Sequence, residues 1–116
     1  MIWKFITFLV RKLEPEIAHQ ISLIALKLGF HPRLKRIEIP VKINNLHFTN
    51  FLGVAAGFDK NAQIIERIHY LNFGLTEVGT ITPLPQYGNP KPRVFRLEKD
   101  KAIINRNGFN NLGMAQ

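Results

Sequence analysis

The 116-residue sequence has no cysteine. That excludes a disulfide framework, thiolate metal sites and cysteine nucleophiles, and leaves the redox compartment unread. Acidic residues are scarce, 8 Asp and Glu against 16 Lys and Arg, for a formal charge of +8. Such an excess points to an anionic partner: nucleic acid, a phosphorylated ligand or an anionic membrane surface. No run reaches the roughly 18 consecutive apolar residues of a membrane-spanning helix. The opening stretch from Met1 to Val10 is apolar with a single Lys4; without a basic n-region or a small-residue cleavage site it is not read as a signal peptide. The four histidines (His19, His31, His47 and His69) lack metal-ligand spacing, so no metal site is expected. Interleaved aromatics and zinc-finger or RRM signatures are missing too, which argues against nucleic acid. Internal repeats and low-complexity segments are absent. What is present, 46% hydrophobic and 21% charged residues, suits one small globular domain able to bury a core.

The charge is uneven. Residues 1–42 hold eight cations (Lys4, Arg11, Lys12, Lys27, Arg33, Lys35, Arg36, Lys42) against Glu14, Glu16 and Glu38. In the same segment Ile2, Phe5, Ile6, Leu9 and Leu13 recur at helical spacing, which predicts a first amphipathic helix. Glu14-Pro15 interrupts it and suits the first turn of a second helix, ending at Gly29 as a left-handed cap. Ile17, Ile21, Ile24, Ala25 and Leu28 form one stripe on that helix, while Leu23 and Leu26 add apolar surface outside it. A helical hairpin with two greasy faces, followed by Arg33, Lys35 and Arg36, has the character of an interfacial membrane anchor. Packing of the same faces on another part of the protein or on a partner is the alternative.

From Val41 the period changes to two. Val41, Ile43, Leu46 and Phe48 flank Asn44-Asn45, which predicts a small hairpin. Phe51 to Ala56 reads as a strand, Asn61 to Leu71 as a helix with Ile64, Ile65, Ile68 and Leu71 inward, and Leu75 to Val78 as a second strand. Strand, helix and strand at this spacing make a βαβ unit with parallel strands. Thr82 to Pro92 holds four of the seven prolines and must be an ordered, extended loop. Val94 to Leu97 and Ala102 to Ile104 predict another hairpin around Glu98 to Lys101.

Two polar sets follow predicted strands, where parallel α/β folds bind ligands. The first, Ala55 to Asn61 (AAGFDKN), offers small residues for close approach to the backbone and amides for an anion or a polar ring edge. In it Lys60 can pair with a carboxylate or carry charge beside a reduced cofactor. The second, Asn105 to Asn111 (NRNGFNN), has four amides, a guanidinium and a glycine; amides match the alternating N–H and C=O groups of a pyrimidine-like ring. The plainer alternatives are an ordinary βα turn with a solvated Asp-Lys pair and a polar turn.

Taken in order, the motifs resemble those of class 2, quinone-dependent dihydroorotate dehydrogenases. They are E-P-E-x-A-H at Glu14 to His19, A-A-G-F-D-K-N at Ala55 to Asn61, E-V-G-T-I-T-P at Glu77 to Pro83, P-Q-x-G-N-P-K-P-R-V-F-R-L at Pro85 to Leu97, and I-N-R-x-G-F-N-N at Ile104 to Asn111. The helical pair at the start separates this class from the soluble class 1 enzymes. The resemblance implies an α/β fold: residues 1–40 as a two-helix, membrane-associating hairpin forming the mouth of a quinone tunnel, and residues 41–116 as the first strands and helix of an FMN-binding (β/α)8 TIM barrel.

By the same resemblance Ala56, Gly57, Phe58, Asp59, Lys60 and Thr80 would contact FMN. Lys60, Asn105, Arg106, Asn107, Gly108 and Phe109 would hold dihydroorotate, and His19 and Arg96 would line the quinone tunnel. The implied activity is oxidation of dihydroorotate to orotate with a membrane quinone as acceptor, in pyrimidine synthesis, peripherally at the cytoplasmic face of a bacterial inner membrane. No catalytic base is expected among these residues, because in this class the base is a serine in a later segment.

Only two strands here read as barrel strands, and a (β/α)8 barrel takes about 200 residues or more. The chain alone is therefore expected neither to close the barrel nor to turn over substrate without the remainder. A non-catalytic, membrane-associating stub is the alternative. Asn107 stands where a larger apolar or aromatic side chain is expected, which bears on that side chain's packing more than on the backbone contacts.

Overall fold

The computed structural model describes residues 2–32 and 34–115. Met1, Gln116 and Arg33, the first of the basic residues after the helices, lie outside them. Contacts divide the chain into two units, one of residues 1–22 with 81–116 and one of residues 23–80.

In the first unit, α1 (Ile2–Val10) buries no residue, and Ile2, Phe5, Phe8 and Leu9 are all at least half exposed. The second helix, α2 (Pro15–Lys27), starts where proline predicts it. Glu14 is its N-cap: Oε2 accepts from the Ile17 amide at 3.0 Å, which holds this carboxyl below its ordinary 4.5. Later in the unit, β5 (Val94–Leu97) and β6 (Ala102–Asn105) pair antiparallel from Val94 opposite Asn105 to Leu97 opposite Ala102.

The second unit begins within α2. That helix ends at Gly29, φ +84°, with the Phe30 amide on the Ala25 carbonyl and the Gly29 amide on that of Leu26, a paired closure that a left-handed glycine permits. Its inward face is not the regular stripe. Leu26 is buried and Leu23 packs beside it, whereas Ile17, Ile21, Ile24 and Leu28 are exposed. The periodicity marked both faces as apolar; packing selected the less regular one. Next come β1 (Val41–Ile43) and β2 (Leu46–Phe48), an antiparallel hairpin turning at Asn44-Asn45, with Asn44 at φ +54°.

The predicted βαβ unit is present in reduced form. β3 (Gly53–Val54) and β4 (Leu75–Thr76) are parallel, in register Gly53 to Leu75 and Val54 to Thr76. Their ladder covers two residue pairs, so Phe51 and Leu52 stay exposed outside it. Buried Asn50 ties the two strand entrances together: its Oδ1 accepts from the amides of Leu52 (2.9 Å) and Gly74 (3.1 Å), and its Nδ2 donates to the Asn72 carbonyl (2.9 Å). Between the strands, α3 (Ile65–Ile68) continues as a 3-10 turn over His69–Leu71. The expected helix from Asn61 begins late because Ala62 takes φ +56° and the following amides are held elsewhere, as described below. Ile64 and Ile68 are buried with Leu26 as the core, flanked by Val54, Phe58, Leu71 and Phe73. Ile65, expected inward, is exposed.

Among the described residues the architecture is thus mixed α/β, with two helices leading three two-stranded sheets. Among the described residues no barrel closes, and no helix is long and apolar enough to cross a membrane.

Candidate functional site

The loop Ala55–Asn61 leaves the carboxyl end of β3. Its shape is set by Asp59, which is only 1% exposed: Oδ1 accepts from the Gln63 amide and Oδ2 from the Ile64 amide, both at 2.8 Å. Those bonds satisfy donors ahead of α3 and turn the loop back on itself. The Asp59 carbonyl accepts from the Gly79 amide at 3.1 Å, bringing the segment after β4 alongside. A β-carbon on Gly79 would lie 2.9 Å from the Lys60 Cα, so glycine permits this approach. The structure therefore brings Lys60 together with the Gly79-Thr80 segment. Phe58 packs on the core, while Ala56 and Thr80 are exposed, Lys60 is half-buried, and Gly57 at φ +99° has open space around its α-carbon. Within one short loop, two residues build the protein and the others form a small-residue shelf with a cation at its end.

The amide-rich segment, in the other unit, is shaped by the proline-rich loop. The Asn89 amide donates to the Asn107 carbonyl (3.0 Å) and Asn89 Nδ2 to that of Arg106 (2.7 Å). Gln86 Nε2 donates to the Gly108 carbonyl (2.7 Å), and Gln86 and Asn111 exchange backbone hydrogen bonds at 2.9 and 3.0 Å. Gly88 lies so close that a β-carbon on it would collide with the Asn107 carbonyl oxygen. Arg106 donates through its amide to the Arg93 carbonyl (2.8 Å) and through Nη2 to that of Pro92 (3.1 Å). Gly108 and Phe109 take φ +71° and +53°, and the Phe109 ring is exposed.

The side chains of this segment keep some capacity. Asn107 Nδ2 donates to Asn105 Oδ1 at 3.1 Å, yet Asn107 Oδ1 and Asn110 Oδ1 are buried with no hydrogen-bond partner among the described residues. Buried acceptors of this kind are rare and call for a donor. At position 107, where a larger apolar side chain is expected, the asparagine thus packs against Asn105 and leaves an acceptor over.

One buried group was missed in the sequence. Arg93 donates through Nε to Glu16 Oε1 at 2.9 Å, with Nη2 at 2.9 Å from the same oxygen, and through Nη1 to the carbonyls of Tyr87 (2.6 Å) and Asn89 (3.1 Å). Both Arg93 and Glu16 are 7% exposed. Arg93 thereby joins the start of α2 to the loop that shapes residues 105–111. The pair lay inside two of the quoted motifs, but 77 positions apart, with no local signal to join them.

His19 lies half-buried on α2, one turn after Glu16. Arg96 turns its Nη1 to the carbonyls of Arg11 (3.0 Å) and Leu13 (2.6 Å), fastening β5 to the turn between the helices. Among the described residues no cluster of His, Asp and Glu could hold a metal.

The family model for dihydroorotate dehydrogenase matches residues 38–116, more than half of the chain. The chain belongs to the dihydroorotate dehydrogenase family. Quinone-dependent members are its homologues. The dihydroorotate dehydrogenase (quinone) of Bartonella tribocorum is 54% identical over 103 residues, covering 87% of this chain and 29% of its own length. That of Erythrobacter litoralis is 49% identical over 115 residues, covering 97% of this chain and 34% of its own. Among solved structures, DHODH of Eimeria tenella in complex with ferulenol superposes with a TM-score of 0.81 at 49% identity, over 85% of this chain and 27% of that one. This dihydroorotate dehydrogenase homologue therefore spans about a third or less of the length of these relatives.

Proposed function

We propose that the chain forms the flavin- and pyrimidine-contacting part of a quinone-dependent dihydroorotate dehydrogenase, the remainder of a (β/α)8 barrel being required for turnover. The observation that carries this reading is the pair of preformed polar segments inside a family match. One is a small-residue shelf ending in Lys60; the other is an amide arch with two buried oxygens that find no partner among the described residues.

The shelf fits FMN. Exposed Ala56 and open Gly57 let a flat ring approach the backbone, Thr80 offers a hydroxyl, and Lys60 places a cation beside it. Phe58 and Asp59 support that shelf from beneath, Asp59 through its two amide bonds. FMN supplies, when bound, reversible two-electron acceptance. Oxidation of dihydroorotate to orotate removes a hydride from C6 and a proton from C5. Lys60 favours the negative charge that develops in that oxidation, since a fixed cation in a preorganised site needs no rearrangement as the charge appears. Asn105, Arg106, Asn107, Gly108 and Phe109 hold the pyrimidine: amide donors and acceptors meet its alternating edge, and Arg106 adds a cation. The proton at C5 goes to a serine base expected outside these residues.

His19 and Arg96 would orient a quinone carbonyl at the mouth formed by residues 1–40. Arg96 does so while anchored on the turn between the helices. The exposed apolar residues of α1 and of the α2 stripe support peripheral docking of this part on a membrane; the location proposed is the cytoplasmic face of a bacterial inner membrane, in keeping with bacterial homologues.

The test is flavin content and dihydroorotate-dependent quinone reduction of the purified 116-residue chain beside a version extended to full barrel length. Yellow, active protein only in the long form supports the reading. Absence of flavin from both would overturn it, and activity of the short chain would show that no further strands or base are needed.

A further inference from the structure

Beside the C-terminal end of α1 lies a cavity of about 520 Å³ lined by Phe8, Arg11, Lys12, Arg96, Glu98 and Lys101, with Leu97, Ala102 and Ile103 completing the wall. That volume falls in the range of small-molecule sites, roughly 300–1,000 Å³. Four cations face one carboxylate around it. Among the described residues the Arg11 and Lys101 side chains meet no carboxylate within ion-pair distance, and Lys12 places its ammonium 5.4 Å from the centre of the Phe8 ring. Arg96 is fixed in the wall by the carbonyls of Arg11 and Leu13. Gathering like charges raises their mutual repulsion, and an anion in the cavity relieves it.

The surroundings say which anion. On α1 the neighbouring Phe5, Phe8 and Leu9 are at least half exposed, so an apolar strip begins where the cationic cavity ends. A free phosphate would use the cavity alone, whereas a phospholipid presents an anionic headgroup and an acyl chain together. We infer that this cavity is a headgroup site for an anionic phospholipid, held by Arg11, Lys12 and Lys101, with α1 lying along the acyl chains. The inference rests on the membrane reading above and adds to it a lipid class and the residues that choose it.

The test uses co-sedimentation of the 116-residue chain with vesicles of pure phosphatidylcholine and with vesicles containing phosphatidylglycerol. The variant removes two cations as Arg11→Gln with Lys101→Asn, asparagine being chosen because residue 101 sits at φ +49°. A control removes two exposed cations that do not line the cavity, Lys42→Gln with Arg67→Gln. Each cation at a membrane surface is worth about 1 kcal/mol, so the cavity variant should bind the anionic vesicles roughly 30-fold more weakly. Its binding to neutral vesicles should be unchanged, the control should lose less than about 3-fold, and Arg11→Lys should retain affinity. Circular dichroism in solution confirms that each variant keeps its helices.

Equal losses in variant and control would reduce the effect to diffuse charge and overturn the site. So would a variant that keeps its preference for anionic vesicles, while neutral-vesicle binding by the parent chain would leave the membrane reading standing. Inorganic phosphate that abolishes anionic-vesicle binding by occupying the cavity would assign it to free phosphate instead. A parent chain that ignores both vesicle types removes the membrane reading and this inference together.

Discussion

The two polar segments of this chain are held in shape by opposite means. Ala55–Asn61 is organised from within, by one buried carboxylate reaching amides four and five residues ahead. Asn105–Asn111 is organised from outside, by backbone and amide bonds from a loop some twenty residues earlier, itself pinned by Arg93 to Glu16. A local cap forms with its own turn and tolerates change elsewhere. A remote clamp makes the geometry of one segment depend on a helix far away in sequence.

The sharpest way to break the comparison is at Arg93. Its replacement by alanine leaves buried Glu16 with only the half-exposed Lys91 ammonium, 3.9 Å away, as a partner, and stability should fall by about 3 kcal/mol in urea denaturation, the low end for a broken buried pair. Hydrogen exchange should rise through residues 105–111 and stay unchanged at Gln63 and Ile64; equal loosening of both segments would refute the division into clamp and cap. Next in size are two glycine substitutions that separate strain from collision. Gly88→Ala meets both positive φ and the Asn107 carbonyl and should cost more than about 2 kcal/mol; Gly57→Ala meets only the strain of φ +99°, about 1–2 kcal/mol. Their midpoints in the same denaturation series give the order.

Asp59→Asn keeps one acceptor but turns an NH2 toward the other buried amide and removes the charge, so about 1.5–2 kcal/mol should go, with retained secondary structure by circular dichroism. The smallest effect is that of pH at Glu14. Its folded pKa lies below the ordinary 4.5 because the Ile17 amide donates to the ionised form, so its contribution is complete above 4.5 and disappears as pH falls through the lowered value. Glu14→Gln should remove this small acid-side dependence of α2 helicity and leave the neutral-pH signal nearly intact.

Local chemistry explains what was legible in the sequence. Pro15 and Gly29 bounded α2, Asn44-Asn45 placed the first hairpin, and the proline-rich loop and second hairpin fell where turn residues demanded. The motifs pointed to the family that the comparisons establish. What escaped needed three dimensions. Hydrophobic period cannot choose between two apolar faces of α2, and only packing shows that Leu23 and Leu26 turn inward. Asp59 read equally as a solvated turn residue, since nothing local distinguishes a carboxylate in water from one taken up by two amides. Asn50, which bridges to residues 22 and 24 positions on, gave no signal at all.

The separation between Glu16 and Arg93 also sets a cost in chain entropy. Bringing these residues together closes a loop of 77 positions, an entropic barrier of roughly 4 kcal/mol before any bond is made, so such contacts form late. Residues 105–111 thus lean in part on a contact that carries this closure cost, whereas Asp59 reaches its amides across only four and five positions.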